Sequence, residues 1–467
     1  MFFSLACRPK GRRYGESSSM MLAAMRGDQR VRIGNRPTTR LLLPFQLALV
    51  MAAIGLHPIP CLAQVNYVAR FTLDKASVVA GEPVFCTFSI QNTGTQTIAF
   101  AFRNPSRIAN SELESEPNFT VRDAAGRRAP DPAPRRCGGA KGTAVYGSVS
   151  LPPGQMHSER WLINQWARLA RPGRYRVHAE RRLPLLGVDE ARHEFTSAPV
   201  AFAAALNELT LEVHAPTDAK LRRAFEPYQK VVRKPEAKGF PESFEAVVTL
   251  PKPFLLDELV MLASAGPDER RWERDRALEG LARLGTPESW EAILRIARGS
   301  NSPVPAASPE AAAKQDSLRA FAILLLAERG DRADLASLLA MLPGAPDSLR
   351  GEIIRALGFF RDTRANKELF ERLHSHATND RVNAILGLRN LDDKSVIPAL
   401  IAMLNDSDAQ VRQVANFALR NLTGQKIELS STAPAQESVR VGSVWRAWWQ
   451  KQGADYRPVR QPACRDW

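Results

Sequence analysis

A helical repeat with a period of 31 residues, running from Asp316 to Leu422, constrains the fold of this chain more than any other feature. The tetrapeptide DSLR at 316–319 returns unchanged at 347–350. Within each unit the apolar and small residues follow one another at spacings of three and four, which places them on one face of a helix. A fixed period of this length is typical of stacked helical arrays. The sequence therefore predicts a solenoid built from units of two helices.

The segment from Asp393 to Leu419 closely resembles the HEAT repeat, in the short form found in bacterial proteins. The resemblance covers residues 268–424 approximately. It implies that aspartates and arginines that recur with the period bond between neighbouring units, as a structural ladder and not as an anion site. The residues of this expected ladder are Asp331, Asp362, Asp393, Arg319, Arg350, Arg381 and Arg412.

Residues 65–214 consist of short alternating apolar and polar runs separated by turn sequences, a pattern typical of a β-sandwich. The stretch resembles the immunoglobulin-like domains of exported bacterial proteins at 73–84, 92–94 and 172–177. The resemblance implies that Tyr175 is a corner tyrosine whose hydroxyl bonds to the backbone. The predicted fold class is therefore multidomain, with an all-β immunoglobulin-like sandwich followed by an all-α HEAT-like α-solenoid.

The first 63 residues have the order of a secretory signal peptide. Nine basic residues stand against two acidic ones, and an uncharged run of 16 residues at 41–56 follows Arg32, Arg36 and Arg40. Small residues then precede Gln64, so we expect cleavage after Ala63 and a periplasmic or secreted protein without a stable membrane span. The alternative is an uncleaved anchor, because 16 residues are marginal for crossing a bilayer.

The remaining positive charge is spread over both halves of the chain, and we therefore expect no nucleic-acid binding. Three cysteines follow the leader. A disulfide between Cys86 and Cys137 would close a loop of about 52 residues and contribute on the order of 4 kcal/mol. The sequence leaves open whether these two thiols are close enough to bond.

Several boundaries follow from changes in composition. Tryptophans at 445, 448 and 449 share one face of a predicted helix, either as a cap on the open end of the array or as an aromatic platform for a sugar or peptide. The expected divisions are 1–63 (leader), 65–214 (sandwich), 215–266 (helical connector), 267–424 (array), 425–438 (loop), 439–453 (capping helix) and 454–467 (tail).

No catalytic, cofactor or metal motif is present in the sequence, since His374 and His376 diverge on a helix and no paired cysteines occur. We therefore expect no enzyme and no cofactor. The first hypothesis is an exported scaffold or adaptor that binds a protein through the second helices of the array. The alternatives are a carbohydrate or cell-wall binding module and, with less support, a lyase-type enzyme. The candidate contact residues are Lys367, Glu371, Arg372, Met403, Trp445, Trp448 and Trp449.

Overall fold

A computed structural model of the 467-residue chain shows a β-rich region followed by an all-helical region. The leader at 1–63 and most of the tail lie outside the described residues. The structure describes residues 65–103, 116–132, 146–189, 194–195, 199–264, 271–299, 309–391, 393–430, 432–453 and 455–457.

Two sheets face each other in the N-terminal region. The smaller sheet has the order β1-β3-β7, and the larger has the order β2-β10-β8-β4-β6, with β5 and β9 also pairing with β8. All pairs are antiparallel except β2 with β10. The described strands are β1 (Tyr67–Leu73), β2 (Ser77–Val79), β3 (Phe85–Asn92), β4 (Ile98–Arg103), β5 (Asn118–Asp123), β6 (Tyr146–Leu151), β7 (Met156–Leu162), β8 (Gly173–Asp189), β9 (Glu194–Phe195) and β10 (Ala201–His214).

The alternation in β8 produces the sandwich core. Tyr175, Val177 and Ala179 point inward, where they join a cluster of aromatic rings from both sheets. Phe71 and Phe119 meet edge to face with their ring centroids 5.6 Å apart. The hydroxyl of Tyr175 donates a hydrogen bond of 2.9 Å to the carbonyl of Arg171. This bond confirms the corner tyrosine that the sequence predicts.

The helical region begins four residues after the last strand. Side chains cap several helices, as where the hydroxyl of Thr217 accepts from the backbone N–H of Lys220. The described helices are α1 (Asp218–Val232), α2 (Phe240–Thr249), α3 (Leu256–Ser264), α4 (Arg271–Leu284), α5 (Pro287–Arg298), α6 (Pro309–Arg329), α7 (Arg332–Met341), α8 (Asp347–Leu357), α9 (Thr363–Arg372), α10 (Thr378–Asn390), α11 (Ile397–Ala402), α12 (Ala409–Thr423) and α13 (Ala435–Gln452).

The helices form two layers. The first helices of the units, α4, α6, α8, α10 and α12, pack side by side in what we call the first-helix layer. The second helices, α3, α5, α7, α9 and α11, pack against them on one side. One hydrophobic core runs without a break from Phe225 in α1 to Trp445 in α13. The predicted connector at 215–266 therefore shares the core of the array.

The sandwich packs directly on the first helices. Phe85, Leu162 and Ala246 form a small buried cluster at this junction, and the ring of Tyr228 lies 5.9 Å from that of Phe85. The amide of Gln165 donates to the buried carboxylate of Glu245 at 2.5 Å. A polar bond of this kind fixes the relative position of the two groups, because each would lose a partner if the junction opened.

Candidate interaction site on the helical array

The first-helix layer is held together by unusually close backbone contacts. A Cβ atom placed on Gly358 would lie 2.0 Å from the carbonyl oxygen of Gly387, and one placed on Gly387 would lie 3.1 Å from the carbonyl oxygen of Ile354. At Gly358 only glycine allows this approach, because any side chain would overlap the neighbouring backbone, whereas at Gly387 the nearest atom is Cδ2 of Leu369, 2.6 Å away. Gly387, one of the small residues that the period places on the inner face, therefore allows a close helix contact.

The outer side of this layer presents side chains from equivalent positions of successive units. These positions are 31 residues apart, and their residues change between neighbouring units, unlike the repeating core leucines, although leucine occurs at both 324 and 386. All are partly exposed, and Phe417 is 36% exposed. We define the first-helix face by two rows of residues, Phe321, Glu352, Asn383 and Val414 in one and Leu324, Arg355, Leu386 and Phe417 in the other.

Polar groups on the first-helix face are held by their neighbours. Arg355 forms an ion pair with Glu352, one turn earlier on α8. The guanidinium of Arg389 lies over the ring of Phe417, 5.6 Å from its centroid. A cation over an aromatic ring orders both side chains. The face thus combines apolar, aromatic and arginine groups, which is the composition that protein interfaces favour at their centres.

The recurrent arginines do link neighbouring units. Arg350 donates to Asp380 at 3.1 Å, and this bond raises the pKa of the Arg350 guanidinium. Arg381 makes two bonds of 2.9 Å to the two carboxylate oxygens of Asp406. Arg412 donates to the hydroxyl of Ser438 in α13 at 3.1 Å, and locally to the backbone carbonyl of Asp406 at 2.9 Å. Arg319 differs, because it reaches the carbonyl of Ala297 and the nearby Asp316.

The predicted aspartate partners of these arginines are wrong. Each of the three aspartates instead accepts a backbone N–H two residues later and so caps a second helix or the 3₁₀ turn before it. The arginines lie near the starts of first helices, and the antiparallel arrangement puts the starts of second helices at the opposite end. The hydrogen bonds from Arg364 lower the pKa of Asp362 to about 2. The capping bonds are Asp331 to Ala333 (2.8 Å), Asp362 to Arg364 (2.9 Å) and Asp393 to Ser395 (2.9 Å).

The candidate contacts on the second helices have different environments. Lys367 and Glu371 are exposed and lie 3.8 Å apart along α9, as on an ordinary solvated helix face. Arg372 is committed to Glu368 at 2.7 Å and to Asp380 at 3.3 Å. Met403 is only 7% exposed, so the structure places it in the core and removes it from the candidate surface.

The three tryptophans close the end of the array. Trp445 is fully buried, and its indole nitrogen donates to Asn416 at 2.8 Å. Trp448 and Trp449 are partly buried and pack against Tyr456, whose hydroxyl donates to the carbonyl of Leu422. The capping interpretation therefore fits the structure, with a helix that begins at Ala435. No flat, open aromatic platform is formed by these three rings.

Other chemistry is sparse in the described part of the chain. Cys86 is a free and fully buried thiol, and burial raises its pKa to about 12. The possible bridge to Cys137, which the sequence leaves open, involves a residue that lies outside the described residues. The residues that the structure describes contain no cluster of three or more His, Cys, Asp or Glu suited to a metal ion. Within the same ranges, no helix has the length and hydropathy to cross a membrane.

Comparison with known proteins identifies part of the array. Residues 335–420 match the family of HEAT repeats. The match runs from α7 into α12 and confirms the HEAT-like expectation for those residues. No curated protein matches the chain.

The solved structures that match part of the chain include the following two. One is the CARDB domain of a Pyrococcus furiosus protein in complex with di-metal ions, at 12% identity and a TM-score of 0.16, covering 33% of this chain and 97% of that one. The other is a β-glucosidase from Listeria innocua in complex with glucose, at 10% identity and a TM-score of 0.16, covering 32% of this chain and 16% of that one. Similarity at this level supports no functional conclusion.

Proposed function

We propose that this chain is a protein-interaction scaffold whose HEAT-like array binds another protein through the first-helix face. The observation that carries the proposal is the pair of rows of partly exposed side chains at equivalent positions of α6, α8, α10 and α12, where neighbouring units carry different residues. Residues that maintain the stack repeat with the period, so residues that differ at an outward position are free to serve recognition. Extended surfaces of this kind are what solenoid proteins use for binding.

The main anchor of the proposed interface lies on its last two helices, at Phe417, Arg389 and Leu386. An aromatic ring that is 36% exposed under a guanidinium presents apolar area and hydrogen-bond donors at one place. Large aromatic and arginine side chains dominate binding energy at many interfaces. We infer that the partner offers an apolar anchor flanked by an acidic or carbonyl acceptor for Arg389.

We further propose that the protein works after export and without catalysis. The support is the basic and then apolar order of the first 63 residues, together with the lack of a catalytic motif in the sequence. In this proposal the array binds the partner protein, and the sandwich positions that partner. Amino-terminal sequencing of the protein recovered from the periplasm or the medium tests the export, with Gln64 expected as the first residue.

The binding proposal is tested with the full chain immobilised and exposed to an extract of the cells that produce it. Wild type is compared with the double variant Phe417→Ala, Arg389→Ala by quantitative mass spectrometry. Loss of a central aromatic and an arginine contact weakens an interface by on the order of tenfold or more. We expect at least one captured protein to be depleted to that extent.

A matched control keeps the result specific. The double variant Lys367→Ala, Glu371→Ala removes two exposed side chains from the second helices instead. Circular dichroism checks that both variants keep the wild-type helix content. The proposal is wrong if every captured protein is retained by the first variant, or if the control loses the same proteins.

A further inference from the structure

A second surface with a different character lies on the opposite layer of the array. A groove of about 820 Å³ runs between α3 and α5, the second helices of the first two units. Leu256, Val260 and Met261 line it with partly exposed apolar side chains. Leu256 and Val260 lie four residues apart on one face of α3, and Met261 widens the apolar floor at the adjoining position.

Carboxylates border this groove on both sides. Asp257 stands on α3, and Glu288 and Glu291 stand one turn apart on α5. All three are exposed. Among the described residues that line the groove, Arg295 alone has a basic side chain. The rim therefore carries a net negative charge beside an apolar floor.

These carboxylates differ from most others in the array because no basic side chain of the described residues pairs with them. Most other carboxylates of the array form ion pairs with arginines. Examples are Glu352 with Arg355, Asp380 with Arg350, and Asp406 with Arg381. Three exposed carboxylates without cationic partners leave an uncompensated field over the groove. Such a field attracts a cation from outside the molecule.

One of these carboxylates, Glu291, also acts on a buried group of the next second helix. Asp334 on α7 is buried, and its Oδ2 atom has no hydrogen-bond partner. Burial, with added repulsion from Asp331 and Glu291, raises the pKa of Asp334 to about 6 even though Arg329 lies 3.5 Å away. The charge of Glu291 thus also acts on Asp334, although burial is the main cause of the shift.

We propose that the groove between α3 and α5 binds an amphipathic, lysine- or arginine-bearing helical segment of a partner protein. The apolar side chains of that segment fill the floor at Leu256, Val260 and Met261, and its basic side chains meet Asp257, Glu288 and Glu291. A helix presents residues at three and four spacings along one face, which suits a groove formed by two helices. This surface is separate from the first-helix face and does not depend on it.

The test uses a fluorescent synthetic peptide with leucines along one helical face and lysines on either side of it. Anisotropy titration with the full chain measures its dissociation constant. A peptide of the same composition in scrambled order, and one with glutamates in place of lysines, serve as comparisons. We expect binding of the first peptide alone, and a progressive loss of affinity as salt is raised.

Variants of the chain locate the peptide. Reversal of two rim charges, Glu288→Lys with Glu291→Lys, is expected to weaken binding by on the order of tenfold or more, because two attractions become repulsions. The substitution Met261→Ser removes part of the apolar floor and is expected to weaken binding about fivefold. The control Glu371→Lys with Glu208→Lys changes the net charge equally at two exposed sites away from the groove.

Four outcomes overturn the proposal. They are no binding of the amphipathic peptide, equal binding of the scrambled peptide, equal weakening by the control variant, and occupation of the groove by a second copy of the chain. The last is recognised by sedimentation velocity, as self-association of the wild type that the rim variant abolishes. The variant Phe417→Ala must leave peptide binding unchanged, so failure here is distinguishable from failure of the first-helix face.

Discussion

Substitution of Gly358 by alanine tests the close packing on which the first-helix face depends. The glycine lies where α8 ends, and an added Cβ would come within 2.0 Å of the carbonyl oxygen of Gly387 and 2.6 Å of its carbonyl carbon. Both atoms belong to backbone, so no rotamer change can relieve the contact. The helices α8 and α10 would have to separate.

The expected cost follows from comparing two opposed effects. Replacing glycine by alanine lowers the entropy of the unfolded chain and by itself stabilises by about 0.4–1 kcal/mol. Overpacking in a closely packed interior costs about 1–3 kcal/mol, and more where backbone must move. We therefore expect Gly358→Ala to lower the free energy of unfolding by about 2 kcal/mol or more.

Two other glycines supply matched controls for the same substitution. A Cβ on Gly344 would have no atom within 4 Å, so Gly344→Ala should stabilise by about 0.5 kcal/mol. A Cβ on Gly351 would approach the amide nitrogens of Asn383 and Asn379 to 2.6 and 2.8 Å, and these side-chain ends can turn away. Gly351→Ala should therefore be close to neutral.

The assay is urea unfolding of the full chain followed by far-ultraviolet circular dichroism. The three variants should rank Gly344→Ala, Gly351→Ala and Gly358→Ala in order of decreasing midpoint. If Gly358→Ala unfolds at the same urea concentration as Gly344→Ala, the two first helices are not in backbone contact. The account of the first-helix layer would then be incorrect.

Two further predictions concern single buried groups. The pKa of Asp334 in the folded state, about 6, lies above its pKa in the unfolded chain, so the stability associated with the protonated carboxyl is lost as pH rises from about 4 to 6. Asp334→Asn should therefore raise the free energy of unfolding at pH 7 by on the order of 1–2 kcal/mol and leave it unchanged at pH 4. Urea titrations of both proteins at the two pH values measure this difference. Equal destabilisation at both values would mean that the ion pair with Arg329 dominates. Trp445→Phe removes the hydrogen bond to Asn416 and leaves a cavity, which should lower the free energy of unfolding by about 2–3 kcal/mol. Limited proteolysis should then cut first within α13. If α13 stays as protected as in the wild type, it is not the cap of the array.

The architecture could be predicted because the periodic spacing of apolar residues identifies the buried faces of helices and strands. The spacing of core leucines and the glycine at 387 follow directly from the needs of stacked helices, and the alternation around Tyr175 follows from the two faces of a strand. The partners of the arginine ladder could not be read in the same way. Regular spacing shows that Asp362 and Arg350 recur together, but not that they lie at opposite ends of antiparallel helices.

The candidate interaction surfaces could not be predicted from the sequence either. Met403 has the position of an outward residue by spacing, but the 3₁₀ turn at Met403–Asn405 rotates it into the core. The first-helix face could have been sought by aligning the units and asking which positions vary, as they do at Arg355 and Leu386. The acidic groove could not be recognised in the sequence, because whether a carboxylate has a basic partner depends on which residues lie near it in the folded structure.

Both ends of the helical stack are closed by elements that do not repeat. At one end the sandwich covers α2 through Phe85 and Leu162, and at the other α13 covers α12 through Trp445. The chain therefore cannot gain a unit at either terminus without first losing a cover. Growth of the array is confined to its interior, where a whole 31-residue unit would find two compatible neighbours. Its length should change by internal duplication, and the binding surface would lengthen by one row each time.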